Sequence, residues 1–145
     1  MRITTRGRYA LRASLALARL SKNGEPVSIS VLAEGENISC VFLEQIFFRL
    51  RKAGIVASVR GPGGGFFFTR PIDQVTVKEI LEAAGEEIDL NMCDKSVTSC
   101  VRIDSCLSHQ VWLDVVNMVN RYLEGLTLAA ILERGGIFEE KNEAS

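Results

Sequence analysis

Long apolar runs are absent from this chain. Charge interrupts every stretch that would need ~20 nonpolar residues to cross a bilayer, so an integral membrane protein is excluded. No secretion signal is evident and cysteine occurs only four times, which points to a cytoplasmic, thiol-reducing setting and disfavours structural disulfides. A length of 145 residues leaves no room for a large multidomain enzyme and fits one compact domain, or a small domain with an oligomerising arm. Compositional bias and internal repeats are also missing. With 47% hydrophobic and 24% charged residues the chain is ordinary for a folded soluble protein, not a disordered or low-complexity one.

Acidic residues are missing from the first 24 positions, which carry five arginines, Arg2, Arg6, Arg8, Arg12 and Arg19. That pattern superficially resembles an organelle-targeting peptide, but Tyr9, Ala13, Leu17 and Leu20 make a core-facing helical stripe instead. The formal net charge of -1 conceals a strong asymmetry. Residues 1–70 hold 11 Lys+Arg against 4 Asp+Glu, and the remainder holds 6 against 14. A basic module within a nearly neutral chain attracts phosphate while limiting nonspecific adhesion, as a selective nucleic-acid binder requires. The competing explanation is a pair of oppositely charged faces that help subunits pack.

Turn and cap signals divide the chain. Thr4 or Thr5 caps a helix running to about Ser21; Ser28 caps a short one ending near Gly35; Ser39 caps a third that Gly54 terminates. In this third helix Phe42, Ile46, Phe47 and Leu50 recur at helical spacing, and Glu44, Gln45, Arg49, Arg51 and Lys52 are polar. A β-branched stretch from Ile55 to Arg60, the turn Gly61–Gly65 and the aromatic strand Phe66–Thr69 predict a hairpin. The class is mainly α: a winged helix-turn-helix over residues 1–72 with a β-hairpin wing. Thr76 and Glu79 form a capping box opening a short connecting helix within residues 73–90. A cysteine loop spans residues 91–109, and a long helix from about Asp104 to Leu123 follows within a dimerisation segment over residues 104–136. Its stripes Val111, Val115, Met118, Tyr122 and Trp112, Val116, Val119, Leu123 are too wide for a single arm to hide and predict packing against a second copy. Residues 137–145 read as a flexible acidic tail, frayed from Glu139.

In a helix-turn-helix the third helix presents its N-terminal residues to base edges, here Ser39, Cys40, Val41, Glu44 and Gln45. Glutamine pairs with adenine N6 and N7, and a carboxylate accepts from cytosine N4, so Glu44 and Gln45 suit base reading; an exposed helical face with no such role is the bland alternative. The glycine-rich turn lacks a following Gly-Lys-Ser/Thr and lies between strands, which excludes a phosphate loop. As a wing tip, Gly63 and Gly64 let the backbone approach DNA and Arg60 enters a minor groove. Arg2, Arg6, Arg8, Arg51 and Lys52 are then phosphate contacts. Cys40 reads as a small packing residue.

Cys93, Cys100, Cys106 and His109 lie within 17 residues, separated by six, five and two intervening positions. Cys106 and His109 are one helical turn apart and can aim at one centre. Structural zinc favours closer cysteine pairs, whereas a larger iron–sulfur cluster tolerates wider spacing and histidine as a ligand. Spacing leaves a cluster, zinc and unligated or redox-active thiols all open. A Cys106 nucleophile with His109 as base lacks a third orienting group, so no enzyme is expected.

Three segments, residues 1–10, Phe42–Gly54 and Ser58–Phe66, closely resemble the IscR family of iron–sulfur cluster regulators, and the similarity extends to about Leu128. The resemblance implies a dimeric winged-helix transcription factor that binds a double-stranded DNA operator and carries a 2Fe-2S cluster on Cys93, Cys100, Cys106 and His109, with cluster-assembly proteins as donors. It also implies feedback repression of cluster-assembly genes, and a part for Glu44 in discriminating DNA sites according to cluster occupancy. Two features depart from the family pattern: the first cysteine gap is one residue longer, and Val41 stands where serine is expected. A nitric-oxide-sensing branch uses an aspartate near position 8 as cluster ligand; Arg8 makes that scheme unavailable, and His109 favours the IscR-like one. Imidazole ligates only when neutral, so occupancy is expected to be sensitive to acid. Beside this reading stand a zinc-stabilised or thiol-redox regulator and a protein-interaction module without DNA binding.

Overall fold

A computed structural model describes residues 2–88, residue 102 and residues 104–143. Among these residues, six α-helices and one hairpin follow in the order α1 (Thr5–Leu20), α2 (Ile29–Glu36), α3 (Cys40–Lys52), β1 (Val56–Val59), β2 (Gly65–Phe68), α4 (Val77–Ala83), α5 (Leu107–Gly125) and α6 (Leu128–Glu143). The architecture is mainly helical with a two-stranded antiparallel wing, as the sequence predicts.

Hydroxyl caps set the first three helix starts. Thr4, Ser28 and Ser39 accept from the backbone N–H of Gly7, Val31 and Phe42 respectively, each satisfying an amide that has no partner in the first turn. α2 ends on Asn37 in the left-handed region (φ 54), a conformation asparagine tolerates better than most residues. α1 differs from its predicted stripe. Ala13 and Leu17 are fully buried, but Tyr9 is half-buried and Leu20 exposed. Gly7, Ala10, Ser14 and Ala16 complete the buried face, so small side chains bring α1 close to its neighbours. On α3 the buried set is Leu43, Ile46, Phe47 and Leu50, with Phe42 half-buried. Phe47 meets Phe66 of the wing at 5.0 Å between ring centroids, which attaches the hairpin to the helical core.

The hairpin pairs Val56 with Phe68 and Val59 with Gly65, and Val27 adds two backbone hydrogen bonds to Phe66 (2.9 and 2.8 Å). Gly65 has no alternative here: its φ is +148, and a Cβ would lie 2.2 Å from the Val27 carbonyl oxygen. The Thr76–Glu79 capping box is present at the head of α4.

α5 starts three residues later than predicted because Cys106 takes an extended conformation (φ -81, ψ 113) and occupies the N-cap position. Its far end returns to the winged head. Val77 N–H donates to Leu126 O (2.9 Å), Leu128 N–H to Val75 O (3.0 Å), and the Leu128 side chain is fully buried in the core. α6 continues to Glu143, beyond the expected fraying point at Glu139. Glu139, Glu140 and Lys141 are good helix formers, and they outweigh the two glycines before them.

Candidate nucleic-acid interface and ligand site

The first turns of α3 are capped and solvent-facing. Val41 is 66% exposed, Glu44 and Gln45 are exposed, and Cys40 at the first helical position is an exposed free thiol. These side chains share one face because the opposite face is held in the core by Leu43, Ile46, Phe47 and Leu50. Ser39 is exposed as well; its hydroxyl accepts from Phe42 N–H (3.1 Å) and keeps its own proton for an outside acceptor.

Basic groups flank this face. Arg51 Nη1 donates to Ser58 Oγ (3.3 Å) and its guanidinium lies 5.7 Å from the Phe48 ring centroid, so the side chain spans from α3 to the wing. Arg60 is exposed at the wing root, and Lys52, Arg8 and Arg2 are exposed on the recognition helix and α1 side. Gly63 has φ +74, and a Cβ on Gly64 would lie 2.2 Å from Val59 O, so the wing tip is a bare backbone turn. Arg6 behaves differently from the phosphate contact expected of it. Its Nε donates to Ala84 O at the end of α4 (2.5 Å), giving it an internal partner.

Of the four proposed ligands, Cys93 and Cys100 lie outside the described residues, whereas Cys106 and His109 stand together on the first turn of α5. The amide of His109 acts first in holding the Cys106 thiol below its ordinary pKa of 9.0, followed by the Ser108 hydroxyl and, more weakly, the Ser108 amide and the positive charge of Arg102, against a small opposing effect of burial. The thiol closes no strict capping hydrogen bond; its sulfur lies 3.7 Å from Ser108 Oγ. A helix N-terminus that favours thiolate suits a metal-bound sulfur. His109 Nδ1 is buried and has no hydrogen-bond partner among the described residues. A buried ring nitrogen without a hydrogen-bond partner costs free energy unless something pairs with it. A thiolate-favouring sulfur and an unpartnered imidazole nitrogen one turn apart are the donor types that an iron–sulfur cluster takes. Among the described residues no group of three or more His, Cys, Asp and Glu is placed to hold a metal ion, and two of the four proposed ligands are outside them.

α5 also exposes much of its apolar surface: Leu107 (87%), Met118 (67%), Tyr122, Val111 and Trp112 all face outward, while Val116, Val119 and Leu123 are half-buried. None of the helices among the described residues is long and apolar enough to cross a membrane.

Comparison with known proteins gives this geometry a context. Residues 3–134 match Rrf2, a family described as iron-dependent transcriptional regulators. The chain belongs to the Rrf2 family. It is 39% identical over 137 residues to the HTH-type transcriptional regulator ORF2 of Azotobacter vinelandii, covering 94% of this chain and 82% of that one. It is 38% identical over 148 residues to the HTH-type transcriptional regulator IscR of Cronobacter sakazakii, covering 99% and 90%. Two solved structures are similar in fold. T. potens IscR superposes with a TM-score of 0.75 at 31% identity (93% of this chain, 88% of that one). CymR, the global cysteine regulator of B. subtilis, superposes with a TM-score of 0.79 at 27% identity (92% and 98%). An Rrf2-family chain is a DNA-binding transcriptional regulator.

One feature of this Rrf2-family chain had no signal in the sequence. Glu86 is buried, and its carboxyl accepts from both the backbone N–H and the hydroxyl of Thr4. A glutamate after a helix-ending glycine is ordinarily solvated, and only the folded chain brings residues 4 and 86 together.

Proposed function

We propose that this protein is a dimeric, cytoplasmic repressor that senses iron–sulfur status and controls cluster-assembly genes, through a 2Fe-2S cluster held by Cys93, Cys100, Cys106 and His109. The observation that carries this reading is the pairing of an activated Cys106 thiol with the buried, partnerless Nδ1 of His109. Such a cluster, when bound, supplies a redox-active centre whose presence follows iron supply and oxidation.

The chain's own residues do the rest. Val41, Glu44 and Gln45 read base edges from α3, with Ser39 at its head. Arg2, Arg8, Arg51 and Arg60 contact phosphate, and Gly63 and Gly64 let the wing close on the backbone. The apolar face of α5 pairs with a second copy. A helix of 19 residues is about 28 Å long, comparable with the ~34 Å between successive major-groove faces, so the paired helices set half-site separation. Ligation would tie Cys93 and Cys100 to the first turn of α5, so that cluster occupancy acts on the dimer helix. A coupling of ~1–3 kcal/mol shifts operator affinity by 5- to 150-fold.

A second reading is a thiol-responsive regulator, favoured by the similarity to CymR, a global cysteine regulator, and by the exposed Cys40 thiol. Metal and sulfide analysis of anaerobically purified protein separates the two, alongside salt titration of operator binding. The cluster reading expects about two iron and two sulfide per chain with visible sulfur-to-iron absorption. Zinc without colour, or free thiols without metal, overturns it.

A further inference from the structure

Glu86 and Ser14 are the buried polar or charged side chains among the described residues, and Glu86 is only 5% exposed. Its position is fixed by the end of α4: Gly85 takes φ +93 and Glu86 N–H returns to Leu81 O (2.9 Å), closing the helix in the manner of a glycine C-cap. The Glu86 side chain then lies against the start of α1. Oε1 accepts from Thr4 N–H (3.2 Å) and from the Thr4 hydroxyl, and a Cβ on Gly7 would come within 2.6 Å of Glu86 Cγ. Arg6 completes the interlock through Ala84 O, and its Nη2 fills the space a side chain at Gly85 would need.

The same segment is tied to α5 on its other side, where Asn120 Nδ2 donates to Ile88 O (3.1 Å). Residues 84–88 therefore connect three things: the start of α1, with Arg2 just before it and Arg8 in its first turn, the chain leading to Cys93, and the helix whose first turn carries Cys106 and His109. A carboxyl group at a helix N-terminus satisfies free amides and complements the helix dipole, so Glu86 does more than fill space.

We propose that Glu86 is a positioning residue for DNA binding: it holds Thr4, and so sets Arg2 and Arg8 on the DNA face, and it relays the state of the Cys93–His109 site to those arginines. The relay half rests on the proposed cluster function; the positioning half does not.

The test uses full-length wild type, Glu86→Ala, Glu86→Gln, Arg8→Ala and the Glu86→Ala/Arg8→Ala double variant, titrated against a fluorescent operator duplex at several salt concentrations in apo and reconstituted forms. Melting temperature and iron content are followed in parallel. For apo Glu86→Ala the expected result is roughly tenfold weaker binding and a log–log salt slope smaller by about 1 to 2, as two phosphate contacts are lost. Glu86→Gln keeps an acceptor for Thr4 and should restore most of the affinity. Adding Arg8→Ala to Glu86→Ala should cost little, because the arginine is already misplaced. Wild-type affinity and slope in apo Glu86→Ala, or full additivity with Arg8→Ala, overturns the positioning. If Glu86→Ala does not fold, Glu86→Asp, whose carboxyl is one methylene too short to reach Thr4, carries the decision through the same slope and the same lack of additivity with Arg8→Ala. The relay predicts that Glu86→Ala keeps its iron but loses most of the wild-type difference between apo and reconstituted forms; an unchanged difference overturns the relay alone. No such difference in wild type removes the relay and the sensor reading together, while the apo slope still decides the positioning.

Discussion

Cys106 and His109 share the first turn of α5, with the His109 amide drawing down the pKa of the Cys106 thiol and the His109 Nδ1 buried without a partner. Neither residue is needed to hold the core: Cys106 is half-exposed at a helix cap, and His109 is half-buried with an unmet nitrogen. His109→Ala should therefore leave the melting temperature of the apo protein nearly unchanged and cut the visible absorption of anaerobically reconstituted protein severalfold. Undiminished absorption in His109→Ala would remove the imidazole from the ligand set.

Glu44 stands exposed beside Gln45 on the reading face of α3. A carboxylate there repels misplaced phosphate and accepts from cytosine, so its loss relaxes selection more than it weakens binding. For Glu44→Ala, selection from a randomised duplex pool should show at least one operator position losing about 1–3 kcal/mol of discrimination, with total affinity kept within a fewfold. An unchanged sequence preference would show that Glu44 reads no base.

The acid side of the stability profile is set in part by Glu79. Burial works against its ionisation, but the Thr76 amide, the Arg70 guanidinium and the Thr76 hydroxyl together outweigh it and bring the pKa below the ordinary 4.5. A carboxyl group depressed in the folded state contributes stability that is fully present above pH 4.5 and is lost as pH falls through the folded value. Glu79→Gln keeps an acceptor for the Thr76 amide but loses the charge that faces Arg70 and the helix N-terminus, so it should be less stable than wild type at neutral pH by roughly 0.3–1 kcal/mol. The gap should close as both are taken below that pH. Parallel curves throughout would assign the effect to something other than ionisation.

Met118 is 67% exposed in the middle of the outward apolar stripe of α5. A charge buried at a symmetric interface meets its own copy, so Met118→Glu should shift the sedimenting species from about twice the 16.0 kDa chain mass to the chain mass itself, and operator affinity should fall with it. An unchanged species would place the dimer contact elsewhere.

What the sequence announces and what it hides follow from range. Hydroxyl caps at Thr4, Ser28, Ser39 and Thr76 and the glycine turn of the wing act within three or four residues, and each was legible from local pattern alone. The α1 stripe was half legible: amphipathicity picks large side chains, whereas here Gly7, Ala10 and Ala16 make the close contacts and Leu20 is left outside. The delayed start of α5 depended on Cys106 adopting an extended cap, which periodicity does not register. Arg6 looked like another phosphate contact because charge in sequence carries no direction, and its turn toward Ala84 O exists only once α4 is packed on α1. Glu86 was illegible for the same reason. The Cys106–His109 pair was visible as spacing, but the unmet Nδ1 that gives it chemical meaning is a property of the fold.

The most direct measurement is the affinity of one protein preparation for a cluster-assembly promoter, taken by anisotropy at fixed salt before and after the iron and sulfide are removed. A cluster-dependent switch gives a change of 5- to 150-fold between the two isotherms. Superimposable isotherms on every operator tried would contradict it and leave a DNA-binding regulator without a cluster-dependent switch.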